Sequence, residues 1–345
     1  MKRTFNILFS ILLTILIIFP NVSLAYSIKN DYSVTNIDKR IEKTQEVANK
    51  LLNSLGKNSK LNDLTLLKNL NGDTEAVLYS LDRKGYVIVN INDFSIPEFS
   101  LEGENPFNNI QYPIYNGPLN YYSKKDAKSV LNIKDSIIVN RNEFANIYSK
   151  KEISLDEKSL TIYKNFNTDI VPYGNLNTIK KLPGKLKAWY IDGGNCGAIA
   201  SAITMRYYYD YVNKSYVNPS KISENSLISL MQKYVGYGGT GYSNLKNGLN
   251  RYFRDRGINN SVVSLNYFNY SRLENRIDRN RPVIVGTSND AKYKNHWIIA
   301  HGYAEINYGV VENSNYIIVN DGWENNDVWV DIKSASFDGL IYFEK

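Results

Sequence analysis

The chain has 345 residues, 43 % hydrophobic and 22 % charged, with 28 tyrosines and a formal net charge of +7. This composition is ordinary for a globular protein, so disorder is not the default reading, and the length allows two domains of about 100–200 residues with a sizeable core. Lys and Arg are scattered rather than gathered into a run, so the positive charge reads as a solvated surface and nucleic acid is not an expected partner.

Residues 1–25 have the three parts of an export signal. Lys2 and Arg3 come first, a mostly apolar run from Ile7 to Phe19 follows, and Pro20 and Ser23-Leu24-Ala25 close it. Cleavage after Ala25 is expected. The apolar run is short of the roughly twenty residues a helix needs to cross the hydrocarbon core. No later segment is apolar enough to span a bilayer, and no Cys directly follows the leader to carry a lipid. The expected product is secreted and extracellular, without stable membrane insertion.

From residue 26 to 150 the sequence predicts an α+β module. Ile37, Ile41, Val47, Ala48, Leu51, Leu52 and Leu55 recur at three- and four-residue steps, the spacing of an amphipathic helix that Gly56 can end. Strand-like runs follow at Ala76 to Leu81, Tyr86 to Ile91 and Pro97 to Leu101, separated by turn signals. The module contains neither Cys nor His. Between 151 and 185 the pattern weakens around Pro172, Pro183 and the pairs Lys150-Lys151 and Lys180-Lys181, which predicts a linker with a possible processing site. Residues 186–345 form the expected second domain. Helical patterns beginning at Cys196, Glu224, Tyr242 and Tyr270 precede strand-like runs at Pro282 to Gly286, His296 to Ala304, Tyr316 to Asn320 and Val328 to Ile332. Helices first and a sheet afterwards predict α+β rather than an alternating parallel fold.

Cys196 is the one cysteine of the chain, so no intramolecular disulfide is possible and a leftover thiol in an exported protein invites a reactive role. At a helix N-terminus, main-chain N–H groups and the positive end of the dipole favour an anion, which suits both a thiolate and the oxyanion of an attacked carbonyl. Gly193 and Gly194 let a substrate backbone come close. The base is sought among two histidines, His296 and His301. In a regular strand residues five apart face opposite sides. His296 is preferred because it heads its run after the polar loop from Ser288 to Asn295, and His301 is read as a packed or hydrogen-bonded neighbour. Asn320 and Asp321, at the end of the next run, are both candidates to orient the imidazole; either also suits the turn before Gly322. Two histidines and one cysteine argue against a protein-only zinc site, although carboxylates could in principle complete one; no metal or cofactor is expected.

The run Cys196-Gly197-Ala198-Ile199-Ala200-Ser201-Ala202-Ile203-Thr204-Met205-Arg206-Tyr207 resembles the nucleophile helix of streptopain-type cysteine peptidases. His296-Trp297-Ile298-Ile299-Ala300-His301-Gly302-Tyr303 is similar to the His strand of that family and of the papain-fold peptidases that process bacteriocin leaders. Asn320-Asp321-Gly322-Trp323 resembles the Asn-and-Trp segment of streptopain, while its Asp matches the orienting acid of the leader-processing type. Gly85 to Asp93 with Pro97 to Leu101 resembles the streptopain propeptide. The resemblance implies a papain-like catalytic domain preceded by a propeptide that blocks the active site, with Cys196 as nucleophile, His296 as base and Asn320 or Asp321 as orienter. Papain-fold enzymes place a Gln a few residues before the Cys as an oxyanion donor, and Tyr190 to Asn195 contains none. The Cys196 N–H is the default donor, with the Asn195 side chain or the Tyr190 hydroxyl as additional candidates.

The expected function is that of a secreted cysteine endopeptidase made as a zymogen. Its expected partners are a protein or peptide substrate and its own propeptide as intramolecular inhibitor. A transpeptidase or amidase on the same scaffold and a non-catalytic secreted binding protein are the alternatives.

Overall fold

The computed structural model of the chain describes residues 20–134, 136–140, 161–162, 175–191, 193, 195–288, 296–307, 313–323 and 325–344, with the main chain only for 20–36, 161–162 and 175. Residues 1–19 of the expected leader and residues 141–160 and 163–174 of the region around the expected processing site lie outside these. Among the described residues no helix is long and apolar enough to cross a membrane.

Helix α1 (Pro20–Ser54) begins well before Ile37, the first residue of the predicted apolar stripe, and its main chain runs through the expected cleavage site at Ala25. It buries Ile41, Val47, Ala48, Leu51 and Leu52, the apolar stripe the spacing predicts. It stops where Gly56 takes φ +60°, a left-handed value open to glycine. Eight strands follow: β1 (Leu61–Lys68), β2 (Thr74–Leu81), β3 (Tyr86–Asn90), β4 (Glu98–Ser100), β5 (Pro113–Tyr115), β6 (Tyr121–Lys124), β7 (Ser129–Asn132) and β8 (Ile137–Asn140). The two-residue β9 (Thr161–Ile162) pairs with β1.

The second half opens with β10 (Asn175–Lys181), which pairs antiparallel with β13 from Asn307 to Gly302. The stretch 151–185 is therefore not linker throughout. Its last part is a strand whose Lys and Asn side chains disguise it, because Asn177, Thr178, Ile179 and Lys180 are exposed. Helices α2 (Cys196–Tyr211), α3 (Glu224–Val235), α4 (Tyr242–Asp255) and α5 (Tyr270–Asp278) alternate with or precede β11 (Ser261–Leu265), β12 (Val283–Thr287), β13 (His296–Asn307), β14 (Ser314–Asn320), β15 (Val328–Asp331) and β16 (Phe337–Glu344). This is the α+β architecture expected, with helices covering a sheet.

The strand order β11-β16-β12-β13-β14-β15-β4-β3-β2-β1-β5-β6-β7-β8 joins both halves in one sheet. Strand β4 pairs with β15, Phe99 opposite Trp329. On β14 and β15, Ile317, Val319, Val328 and Val330 face the core under the helices of the second half. The alternate residues Tyr316, Ile318 and Trp329 face the core that holds Val47, Leu51, Val77, Tyr79 and Phe99 of the first half. Burial on both faces is why these strands read as unbroken apolar runs. Phe99 stacks on Trp329 at 4.9 Å and meets Tyr316 edge-on at 5.3 Å. Burying side chains of this size stabilises by about 1.5–3 kcal/mol each, so the contact between halves is a core, not a surface touch.

Candidate active site

Helix α2 is apolar nearly all round, with Ala198, Ile199, Ala200, Ala202, Ile203 and Met205 buried, because it runs between the sheet and α3. Its first residue is Cys196, partly buried. Asn195 caps the helix with its carbonyl, which accepts the Ile199 N–H at 2.9 Å. Its side chain makes no cap hydrogen bond; Oδ1 instead accepts from Gln232 Nε2 of α3 at 3.1 Å.

His296 is the first residue of β13, opposite Thr287 of β12, and is buried. One loop residue ties it to the cysteine. A Cβ built on Gly197 would lie 2.7 Å from the Thr240 Cβ, so only glycine lets the start of α2 come this close to Thr240. The Thr240 carbonyl accepts the indole N–H of Trp297 at 2.6 Å. The residue after the cysteine and the residue after the histidine thus grip the same loop position.

The His296 Nε2 lies 2.7 Å from the main-chain carbonyl of Asp321. A carbonyl only accepts, so Nε2 carries the proton in the neutral ring and Nδ1 is the basic nitrogen. The Trp323 ring stacks on the imidazole at 3.7 Å with 6° between planes. Gly322, at φ +76°, makes the bend that brings the Asp321 carbonyl and the Trp323 ring to the same imidazole.

The side chains of Asn320 and Asp321 do not accept this Nε2 bond. Asn320, fully buried, donates from Nδ2 to the Lys187 carbonyl at 3.1 Å and to Asn326 Oδ1, and its own Oδ1 accepts the Gly322 N–H at 3.0 Å. Asp321 Oδ1 accepts the N–H groups of Trp323 at 2.8 Å and Asn325 at 3.1 Å. Both side chains build the turn, and the turn presents a main-chain acceptor to the ring. Reading side chains alone misses this because every residue type offers the same carbonyl.

His301 sits where the pairing of β13 with β14 slips by one residue, between Ala300 and Gly302. The bulge breaks the regular alternation on which the opposite-face expectation rests. The two rings are parted instead by different acceptors, since His301 Nε2 meets the Asn326 carbonyl at 2.7 Å. Burial, assisted by the nearby Lys181 charge, holds the His301 imidazolium down at about 4, so this ring is neutral at neutral pH.

The first half reaches the same turn. The Lys134 ammonium is 3.6 Å from Asp321 Oδ2 and 6.0 Å from the Trp323 ring centre. The Lys134 carbonyl accepts the Tyr190 hydroxyl at 3.3 Å, which engages the side chain considered above as an oxyanion donor. Behind Lys134 lies Tyr121, whose hydroxyl and that of Tyr86 donate to the fully buried Glu98 carboxylate. Burial pushes Glu98 up to about 6 against these hydrogen bonds. A cleft of about 430 Å³ opens here, with Trp323, Asn325 and Asp327 facing Lys84, Glu104 and Lys134. Thr240, Gln232 and Lys134 were not singled out by sequence reasoning. The glycine-rich run Gly238-Gly239-Thr240-Gly241 is the one local signal that marks any of them.

A helix-start cysteine tied to a strand-start histidine, with an Asp carbonyl on its far nitrogen, is a cysteine-hydrolase-type arrangement. Residues 171–342 match the model of the Peptidase_C39 like family. This half is therefore a Peptidase_C39-like domain, consistent with the papain-fold cysteine-peptidase superfamily and not specific to the streptopain type. Comparison of the chain with curated proteins gives no match.

Proposed function

We propose that this protein is an exported cysteine endopeptidase, made as a zymogen, that cleaves peptide bonds through a thioester on Cys196. The observation that carries the reading is the His296 ring, fixed with Nε2–H on the Asp321 carbonyl, which makes Nδ1 its proton acceptor. The match of residues 171–342 supports the same class.

His296 Nδ1 takes the Cys196 thiol proton, and Sγ attacks the scissile carbonyl carbon. The carbonyl π pair moves to oxygen, held by the Cys196 N–H at the start of α2. Collapse breaks the C–N bond, and the amine leaves with the proton from His296. Water, deprotonated by the same ring, then attacks the thioester carbon; the C–S bond breaks, the carboxylic acid leaves, and the sulfur regains its proton from His296. The substrate is a protein or peptide. The first half, from residue 26 to about 150, is the intramolecular inhibitor, a role supported by Lys134 standing against Asp321 and Trp323.

Cys196→Ala should abolish peptide hydrolysis and labelling by a thiol-directed peptide probe; hydrolysis undiminished by this change rejects the mechanism. Amino-terminal sequencing of the secreted wild-type and Cys196→Ala proteins tests export and self-processing together. The wild type is expected to begin beyond residue 150 and the variant at Tyr26. Full activity of the chain beginning at Tyr26 argues against zymogen control.

A further inference from the structure

Gln232 is the one glutamine after Gln111 in the chain, and it reaches the residue that precedes the nucleophile. We infer that Gln232 is a positioning residue that holds the Asn195 carboxamide as the second oxyanion donor beside the Cys196 N–H. The inference rests on the cysteine-peptidase reading above and names a group that reading leaves open.

Helix α3 grips the segment before Cys196 at two points. Glu224, its first residue, accepts the Tyr190 N–H at 3.1 Å, and Gln232 donates to Asn195 Oδ1 at 3.1 Å. At a rise of 1.5 Å per residue these grips stand roughly 12 Å apart along the helix, so the segment is held at both ends. An Asn at a helix start ordinarily turns Oδ1 onto a first-turn N–H. Here that use is given up, and Oδ1 is committed to Gln232. A carboxamide has one accepting and one donating end, so fixing Oδ1 fixes Nδ2. Nδ2 lies toward exposed Gly193, 3.3 Å from where a Cβ on that glycine would stand. Gly193 is at φ +94° and carries no side chain between Nδ2 and an approaching backbone.

When Cys196 Sγ bonds to the carbonyl carbon, the π pair on oxygen takes hydrogen bonds from the Cys196 N–H and Asn195 Nδ2. When the C–N bond breaks, the carbonyl re-forms and both bonds weaken. A donor reached through α3 replaces the glutamine absent between Tyr190 and Asn195.

The decisive variant is Gln232→Glu, of the same shape but with only accepting oxygens at neutral pH. It should draw Asn195 Nδ2 toward itself and turn Oδ1 toward the oxyanion. With full-length protein processed in trans by wild-type enzyme, kcat for a peptide substrate should fall roughly 10²-fold, the scale of one lost oxyanion donor, with KM within about twofold. Alkylation of Cys196 by iodoacetamide, which develops no oxyanion, should keep its rate. Asn195→Ala should show the same loss, and Asn195→Ala/Gln232→Glu no more than Asn195→Ala alone. Gln232→Met, which neither donates nor accepts strongly, should fall between and serves if Gln232→Glu does not fold. Wild-type kcat in Gln232→Glu, losses that multiply in the double variant, or alkylation that falls in step with kcat would each overturn the inference. A wild-type Cys196 that resists alkylation would instead remove the cysteine-peptidase reading itself.

Discussion

His296 is held at Nε2 by the main chain of Asp321, at 2.7 Å, with the Asp321 side chain turned into its own loop. Orientation of this imidazole is therefore a property of the turn from Asn320 to Trp323 and only indirectly of any one side chain.

Asp321→Asn keeps the carbonyl and an Oδ1 that can accept the Trp323 and Asn325 N–H groups. It should lower kcat/KM less than tenfold. Gly322→Ala places a side chain at φ +76°, a conformation costing about 1–3 kcal/mol for a non-glycine residue. It should lower the unfolding midpoint and reduce kcat far more than Asp321→Asn. Steady-state kinetics and urea unfolding of the two variants check this; a greater activity loss in Asp321→Asn would restore the carboxylate as the orienting group.

Gly197→Ala is expected to cost about 1–3 kcal/mol, as overpacking does, because the new methyl meets Thr240 at 2.7 Å. Since Thr240 also anchors Trp297, activity should drop by more than the stability loss explains. Urea unfolding with kinetics measured well below the midpoint separates the two effects.

Glu98 and His301 give opposite pH dependences. Glu98 is raised to about 6 by burial, so its contribution is present below the unfolded value near 4.5 and is lost as pH rises through about 6, roughly 2 kcal/mol in all. His301 is lowered to about 4, chiefly by burial. Its contribution is present above about 6.5 and is lost as pH falls toward 4. Glu98→Gln should therefore steepen the loss of stability on acidification, and His301→Asn should flatten it. Unfolding midpoints from pH 4 to pH 7.5 read both slopes, and parallel curves for wild type and either variant would contradict the assignment.

A protease cut between residues 141 and 174 should leave two fragments that co-elute on size exclusion and separate only in denaturant. The shared core of Val47, Leu51 and Phe99 with Tyr316, Ile318 and Trp329 and the β4–β15 pairing hold them. Separation in native buffer would show that this contact contributes little.

Much of the fold was legible where burial dictates residue type. The stripe of α1, the small-residue start of α2 and the doubly buried runs of β13 to β15 all follow from periodicity or its absence. Strand β10 was hidden because its exposed side chains are mostly Asn, Thr and Lys, and β5 to β8 because strands of three or four residues carry almost no period. At the site, Cys196 and the choice of His296 came from residue type and position. The Asp321 carbonyl could not, since a main-chain atom has no letter in the sequence. Gln232 and Thr240 could not either, because packing of α2 against α3 and of the Thr240 loop against β13 brings together residues dozens of positions apart.

The pairing of β15 with β4 also bears on the order in which the molecule assembles. The amino-terminal half leaves the ribosome first and holds the strand edge and the apolar face that β14 and β15 later cover. Synthesised without it, the carboxyl-terminal half would present Tyr316, Trp329 and an open strand edge to water, the features that lead to intermolecular sheet growth. Expressed alone, the carboxyl-terminal half should therefore need the first half supplied in trans to reach a soluble, folded state.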